Sequence, residues 1–140
     1  MNATTTQTAQ ATLSVIARIL LASIFVVSGI GKLFAPEATI GYIASTGLPF
    51  AGAGLALAIA VELGGGLLLA LGVKTRIVAL ALAAFSVVTA LVFHNALGDQ
   101  NQMIHFLKNI AMAGGLLQVA AFGAGAYSVD RKVLRPAAAR

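Results

Sequence analysis

Residues 61–76, VELGGGLLLALGVKTR, decide the fold. One carboxylate, Glu62, lies inside an apolar, glycine-rich run that ends in Gly72, Lys74 and Arg76. A lone acid among valines, leucines and glycines is costly to desolvate in protein core or in lipid, so it must be paired, hydrated or protonated. The cations that close the run mark the side of a membrane it faces. The rest of the chain carries the same bias. Of 140 residues, 59% are hydrophobic and 9% charged, against roughly 25% charged in ordinary soluble domains. A soluble domain of this size cannot hide so much apolar surface, and an integral membrane protein is the class that fits. The formal charge of +5 comes from cations at the ends of apolar segments and in the C-terminal tail. Topology therefore accounts for them, and nucleic acid is not an expected partner. Cysteine is absent, which excludes disulfides, thiolate chemistry and Cys-ligated metal centres within this chain.

Outward from this run the chain divides into an all-α, up-down-up-down bundle of four spans over residues 13–126. Residues 1–12 are polar, uncharged and rich in Thr, Gln and Ala, and read as a disordered lead-in. No basic segment precedes the first apolar stretch, so no cleavable leader is expected. The first span covers about 13–34, long enough at ~1.5 Å per residue to cross a core of ~30 Å. Arg18, Ala22, Phe25, Gly29 and Lys32 recur along it at alternating spacings of four and three, which puts both cations on one face. Pro36 stops it, and a short interfacial helix is expected between 35 and 50. The second span covers about 51–73. Gly52, Ala56, Ala60 and Gly64 form a small-residue packing ridge on it, and Gly65 and Gly66 are expected to leave room beside Glu62. The third span, about 77–94, is plain. The fourth, about 103–122, carries His105, Lys108, Asn109 and Met112 at i, i+3, i+4 and i+7, so three polar side chains share one face. Residues 127–140 read as a basic tail.

Four spans place both termini on one side. The turn with Lys74 and Arg76 shares that side with Arg131, Lys132, Arg135 and Arg140, while the opposite loops hold Glu37 and Asp99. By the positive-inside rule the termini are expected in the cytoplasm. Rise per residue puts Glu62 near the midplane, with Arg18 toward the cytoplasmic edge and Lys108 and Asn109 toward the outer one. Glu62 is then either half of an ion pair with Arg18 or Lys108, or a proton-handling or ligand-binding carboxylate. Lys32 reads first as a snorkelling anchor and joins the candidate ligand-binding set with Arg18, Lys108, Asn109 and His105. His94 and His105 read as interfacial histidines, with no third ligand spaced for a metal. Arg18 and Lys108 against one Glu62 leave an excess cation inside the bundle. A polarised or anionic guest would compensate it, such as a reduced quinone, a sulfur oxyanion or a lipid headgroup.

The pattern resembles the DoxX family of small bacterial membrane proteins. The residues that carry the likeness are Arg18; Ser28, Gly29, Gly31 and Lys32; Gly47 and Pro49; Glu62 with Gly64, Gly65 and Gly66; Gly72, Lys74, Thr75 and Arg76; Phe106, Lys108 and Asn109 with Gly114 and Gly115; and Gly123, Gly125, Ser128 and Asp130. The likeness covers about residues 14–131. The resemblance implies a four-helix, multi-pass protein of the bacterial inner membrane, associated with redox processes. One branch is similar to the membrane subunit of an archaeal thiosulfate–quinone oxidoreductase. Other members resemble a scaffold joining a superoxide dismutase to a sulfurtransferase under oxidative stress. The expected function is a membrane subunit of a quinone-linked or thiol/sulfur-linked oxidoreductase system, with quinone as candidate cofactor and Glu62 as its catalytic proton carrier. The alternatives are a non-enzymatic scaffold for soluble redox or sulfur-transfer enzymes on the cytoplasmic side, or a small-solute carrier. Self-association stays open.

Overall fold

The computed structural model describes residues 3–133, and the cations Arg135 and Arg140 lie outside the described residues. Helix α1 is Ala3–Phe34, α2 is Pro36–Ser45, α3 is Ala51–Leu71, α4 is Thr75–Phe93, α5 is Gln100–Phe122 and α6 is Val129–Val133. Within α3 the turn Ala60–Gly65 is π-helical. Helices α1, α3, α4 and α5 are each long and apolar enough to cross a membrane. Their antiparallel order shows in what meets what. Arg18, early in α1, reaches Leu69 and Ala70 at the end of α3. His94, after α4, stacks on His105 near the start of α5. Gly123, after α5, lies against Arg76 at the start of α4.

The polar lead-in differs from expectation. Residues 3–12 are the first turns of α1 rather than a separate disordered segment. They contain no Gly or Pro, and the Thr8 and Thr12 hydroxyls donate back to the carbonyls of Thr4 (3.1 Å) and Thr8 (3.0 Å). Such back-bonding to the i−4 carbonyl satisfies the hydroxyls of threonines that sit inside a helix. At ~1.5 Å per residue α1 is about 48 Å long, well over a bilayer core of ~30 Å.

Two hairpins build the bundle: α1 with α3, and α4 with α5. Glycine sets their spacing. A Cβ on Gly29 would lie 3.0 Å from the Leu63 backbone, and one on Gly66 would lie 2.9 Å from Val26 and 3.3 Å from the Ala22 carbonyl. Gly65 faces Leu82 of α4 (3.1 Å), and Gly115 of α5 faces Leu21 of α1 (3.3 Å). Gly65 and Gly66 are therefore contact points between helices and not free space beside Glu62. The expected small-residue ridge is not used in this way. Gly52, Ala56, Ala60 and Gly64 are exposed, with nothing within 4 Å of where a Cβ would sit on either glycine. The core is one layer, Phe25, Leu69, Leu82, Ala83, Ala113 and Leu116, toward the end where the termini lie. At that end residues 127–133 fold back on the bundle instead of leaving it as a free tail. Asp130 accepts from the N–H groups of Lys74 (2.7 Å) and Thr75 (2.9 Å), and its own N–H donates to the Gly72 carbonyl (2.9 Å).

Candidate functional site

Beyond that layer the two hairpins part. A cavity of about 680 Å³ opens between α1, α2, α3, α4 and α5, within the range typical of small-molecule sites. Its walls are mostly apolar, with Ile24, Phe25, Leu57, Phe85, Val88 and Met112 among them. Glu62, Ser28 and Lys32 occupy one wall, Lys108 and Asn109 line it from α5, and His94, His105 and Tyr42 stand at the level of the outer helix ends.

Glu62 is 6% exposed and pairs with Lys32, whose Nζ lies 2.7 Å from Oε2. Ser28 joins them: its hydroxyl donates to Glu62 Oε1 (3.2 Å) and accepts from Lys32 Nζ (2.8 Å). This corrects the sequence expectation, which paired Glu62 with Arg18 or Lys108 and read Lys32 as an anchor. Helix geometry supplies the reason. Every Cα–Cβ bond tilts toward its own helix N-terminus. Lys32 therefore reaches back down α1 toward Ser28, while Glu62, on an antiparallel helix, leans the opposite way to meet it. Arg18 leans away from Glu62 toward the near end, and Lys108 toward the outer end.

The π turn contributes as well. One extra residue in the turn breaks the i→i+4 ladder, and the run Glu62, Leu63, Gly64, Gly65, Gly66 is a weak enough helix former to accept it. The turn holds Glu62 within the cavity wall while Gly66 and Leu69, one and two turns on, stay buried. Oε2 meets the ammonium as an ion pair without hydrogen-bond alignment. That oxygen is itself buried.

Arg18 is not part of this site. It is 2% exposed, and its Nη1 donates to the carbonyls of Leu69 (3.2 Å) and Ala70 (3.0 Å), its Nη2 to that of Tyr127 (2.6 Å). It caps the C-terminus of α3, where carbonyls have no intrahelical partner. Gly72 is required there: its φ is +72°, and a Cβ would collide with Arg18 Nη1. Asp130 caps the start of α4 beside it. Burial pushes the Asp130 carboxyl up, but the Thr75 and Lys74 N–H groups and the Arg18 charge outweigh that and hold it below its usual 3.8.

The remaining candidates do come together. Asn109 Nδ2 donates to the His105 carbonyl (3.0 Å), the His94 and His105 rings stack 5.0 Å apart, and His94 Nδ1 pairs with Gln102 Oε1 at 3.0 Å. The two histidines meet no third metal-type side chain among the described residues. Ser28 and Tyr42 were missed by sequence reasoning. Ser28 stands one turn before Lys32 on the same face, a signal that could have found it. Tyr42 donates to the Phe93 carbonyl (3.2 Å) and packs on its ring. It ties α2 across the cavity in a way no local pattern reveals.

A small four-span helical protein with a charged cavity between its hairpins is the class defined here. The DoxX family profile matches residues 13–95. Inner membrane protein YqjF of Escherichia coli (strain K12) is 40% identical over 116 residues, 83% of this chain and 88% of that protein. Inner membrane protein YphA of the same organism is 34% identical over 129 residues, 89% of this chain and 92% of that protein. No solved structure matches the chain. The chain belongs to the DoxX family and is a multi-pass protein of the inner membrane.

Proposed function

We propose that the chain is the membrane subunit of a quinone-linked or thiol/sulfur-linked oxidoreductase system, holding a small ring-headed amphiphile between its hairpins. One observation carries this reading: a largely apolar cavity with two ammonium groups, Lys32 and Lys108, and a single carboxylate, Glu62. Arg18 leaves the count made from the sequence and Lys32 enters it, which again sets two cations against one acid, and the surplus cation favours a guest whose oxygen carries partial or full negative charge. A quinone head fits these donors, and when bound it would supply the two-electron carrier that the side chains lack. Lys108 would donate to one oxygen of the head. Glu62 would take or give the proton, and Ser28 and Lys32 would keep it in place. Asn109 holds its own helix backbone at the His105 carbonyl and shapes the wall. Termini in the cytoplasm, from the Lys74, Arg76, Arg131 and Lys132 rim, would place the cavity in the outer half of the bilayer.

A scaffold role draws support from that cation rim, but the docking of residues 127–133 onto the bundle favours the ligand site. A carrier role is disfavoured by the layer of Leu69, Leu82 and Leu116, each fully buried, which closes the bundle below Glu62. Native mass spectrometry of gently extracted protein tests the proposal. A stoichiometric quinone is expected, retained about tenfold less in Lys108→Ala, with redox activity lost in folded Glu62→Gln. Protein extracted without any ring-headed ligand, or a quinone indifferent to Lys108, would overturn it.

A further inference from the structure

A second recess lies at the opposite end of the molecule, on the outside of the bundle between α1 and α5. It has a volume of about 470 Å³ and apolar walls from Leu20, Leu21, Val119 and Phe122, over a floor at Gly115. Its polar features are distinct from those of the cavity above. Gln118 of α5 lines it with an exposed side-chain amide that has no partner among the described residues. Gln118 is four residues from the end of α5, at a depth of roughly 6 Å. Lipid ester carbonyls can approach that level, and a bare amide in hydrocarbon is costly. At the end of the recess Arg76 lies across Gly123, its Nε 3.4 Å and Nη2 3.7 Å from the position of a Cβ there. Arg76 is exposed and also has no partner among the described residues. Lys74, Arg131 and Lys132 add exposed positive charge at the same end, and the Asp130 carboxylate is turned inward onto backbone N–H groups.

From this arrangement we infer that the recess is a binding site for an anionic glycerophospholipid of the leaflet on the Lys74–Arg76 side. One acyl chain lies along Leu20, Leu21 and Val119. The Gln118 amide donates to an ester carbonyl, and the Arg76 guanidinium holds the phosphate. Charge complementarity selects an anionic headgroup, and the apolar length of the recess selects a lipid over a free phosphate ester. The inference is independent of the ligand assigned to the Glu62 cavity.

The test uses the full chain, delipidated and then titrated with phosphatidylglycerol or phosphatidylcholine, with retained lipid counted by native mass spectrometry. Phosphatidylglycerol is expected to be retained as one tight copy and phosphatidylcholine not. Arg76→Gln should lower its retention about fivefold, the scale of one cation at a membrane surface. Gln118→Leu should lower it too, and Lys132→Gln should leave it nearly unchanged. Should Arg76→Gln lose helicity, Gln118→Leu carries the comparison alone. Equal retention of the two lipids would overturn the site. So would equal losses in Lys132→Gln and Arg76→Gln, the mark of diffuse surface charge. Stabilisation by glycerol 3-phosphate as strong as by the lipid would overturn it as well.

Discussion

Removing Lys32 should cost far more than removing Glu62, although the two are partners. The side chain of Glu62 is 8% exposed and that of Lys32 is 23% exposed. Lys32→Met leaves a carboxylate buried in an apolar wall with one serine hydroxyl for company, and stranding a buried charge in this way costs about 3–5 kcal/mol. Glu62→Gln keeps the shape and an oxygen for Ser28, and strands only an ammonium two residues from the end of α1. That ammonium can snorkel outward, so the cost should be about 1 kcal/mol, that of one hydrogen bond. The double variant Lys32→Met/Glu62→Gln should then recover most of the loss and sit within about 1 kcal/mol of Glu62→Gln alone. Lys108→Met, which breaks no pair among the described residues, should leave stability nearly unchanged. Denaturation of the four purified variants in detergent, followed by helical circular dichroism, reads these values directly. Equal costs for the two single variants, or a double variant equal to their sum, would refute the reasoning. Loss of stability in Lys108→Met would show that Lys108 carries part of the pairing instead.

Two further outcomes follow from the packing and the caps. Gly66→Ala should destabilise by about 1–3 kcal/mol through overpacking against Val26 and Ala22, whereas Gly114→Ala, with open space at its Cβ position, should be neutral or gain up to about 1 kcal/mol of helix propensity; thermal melts separate them. Because the folded Asp130 carboxyl is held below its usual 3.8, its cap contributes stability above that pH and loses it as pH falls through the lowered value. Amide exchange at residues 127–133 and at the start of α4 should therefore speed up in strong acid, and in Asp130→Asn already at neutral pH.

Four spans were legible because bilayer length and unbroken hydropathy leave little freedom, and the first span's stripe of Arg18, Ala22, Phe25, Gly29 and Lys32 is the face that α1 turns to the bundle. The start of α1 was missed because polarity was taken for disorder, while Thr, Gln and Ala extend a helix already nucleated by the span below. That His105, Lys108, Asn109 and Glu62 line one cavity followed from helical spacing and depth. The partner of Glu62 did not, because depth counted along Cα atoms ignores the direction in which side chains lean. At the near end, a guanidinium capping carbonyls from α3 and from Tyr127 joins residues 51 to 109 positions apart, and no local pattern encodes it.

The π turn makes α3 a helix with a one-residue slip in its phase. Ala51–Ile59 and Gly66–Leu71 are each in step with their own neighbours but out of step with one another by about 100°. The two lengths therefore behave as separately tuned pieces on either side of a clutch. Deleting a single residue between Ala60 and Gly65 would leave every apolar residue of either piece unaltered. It would still rotate one piece against the other, and either the seating of Gly66 against α1 or the aim of Glu62 at Lys32 would be lost. Chain length across these six positions, as much as the carboxylate of Glu62 within them, is the constraint that keeps a bundle with a charged cavity from becoming a plain one.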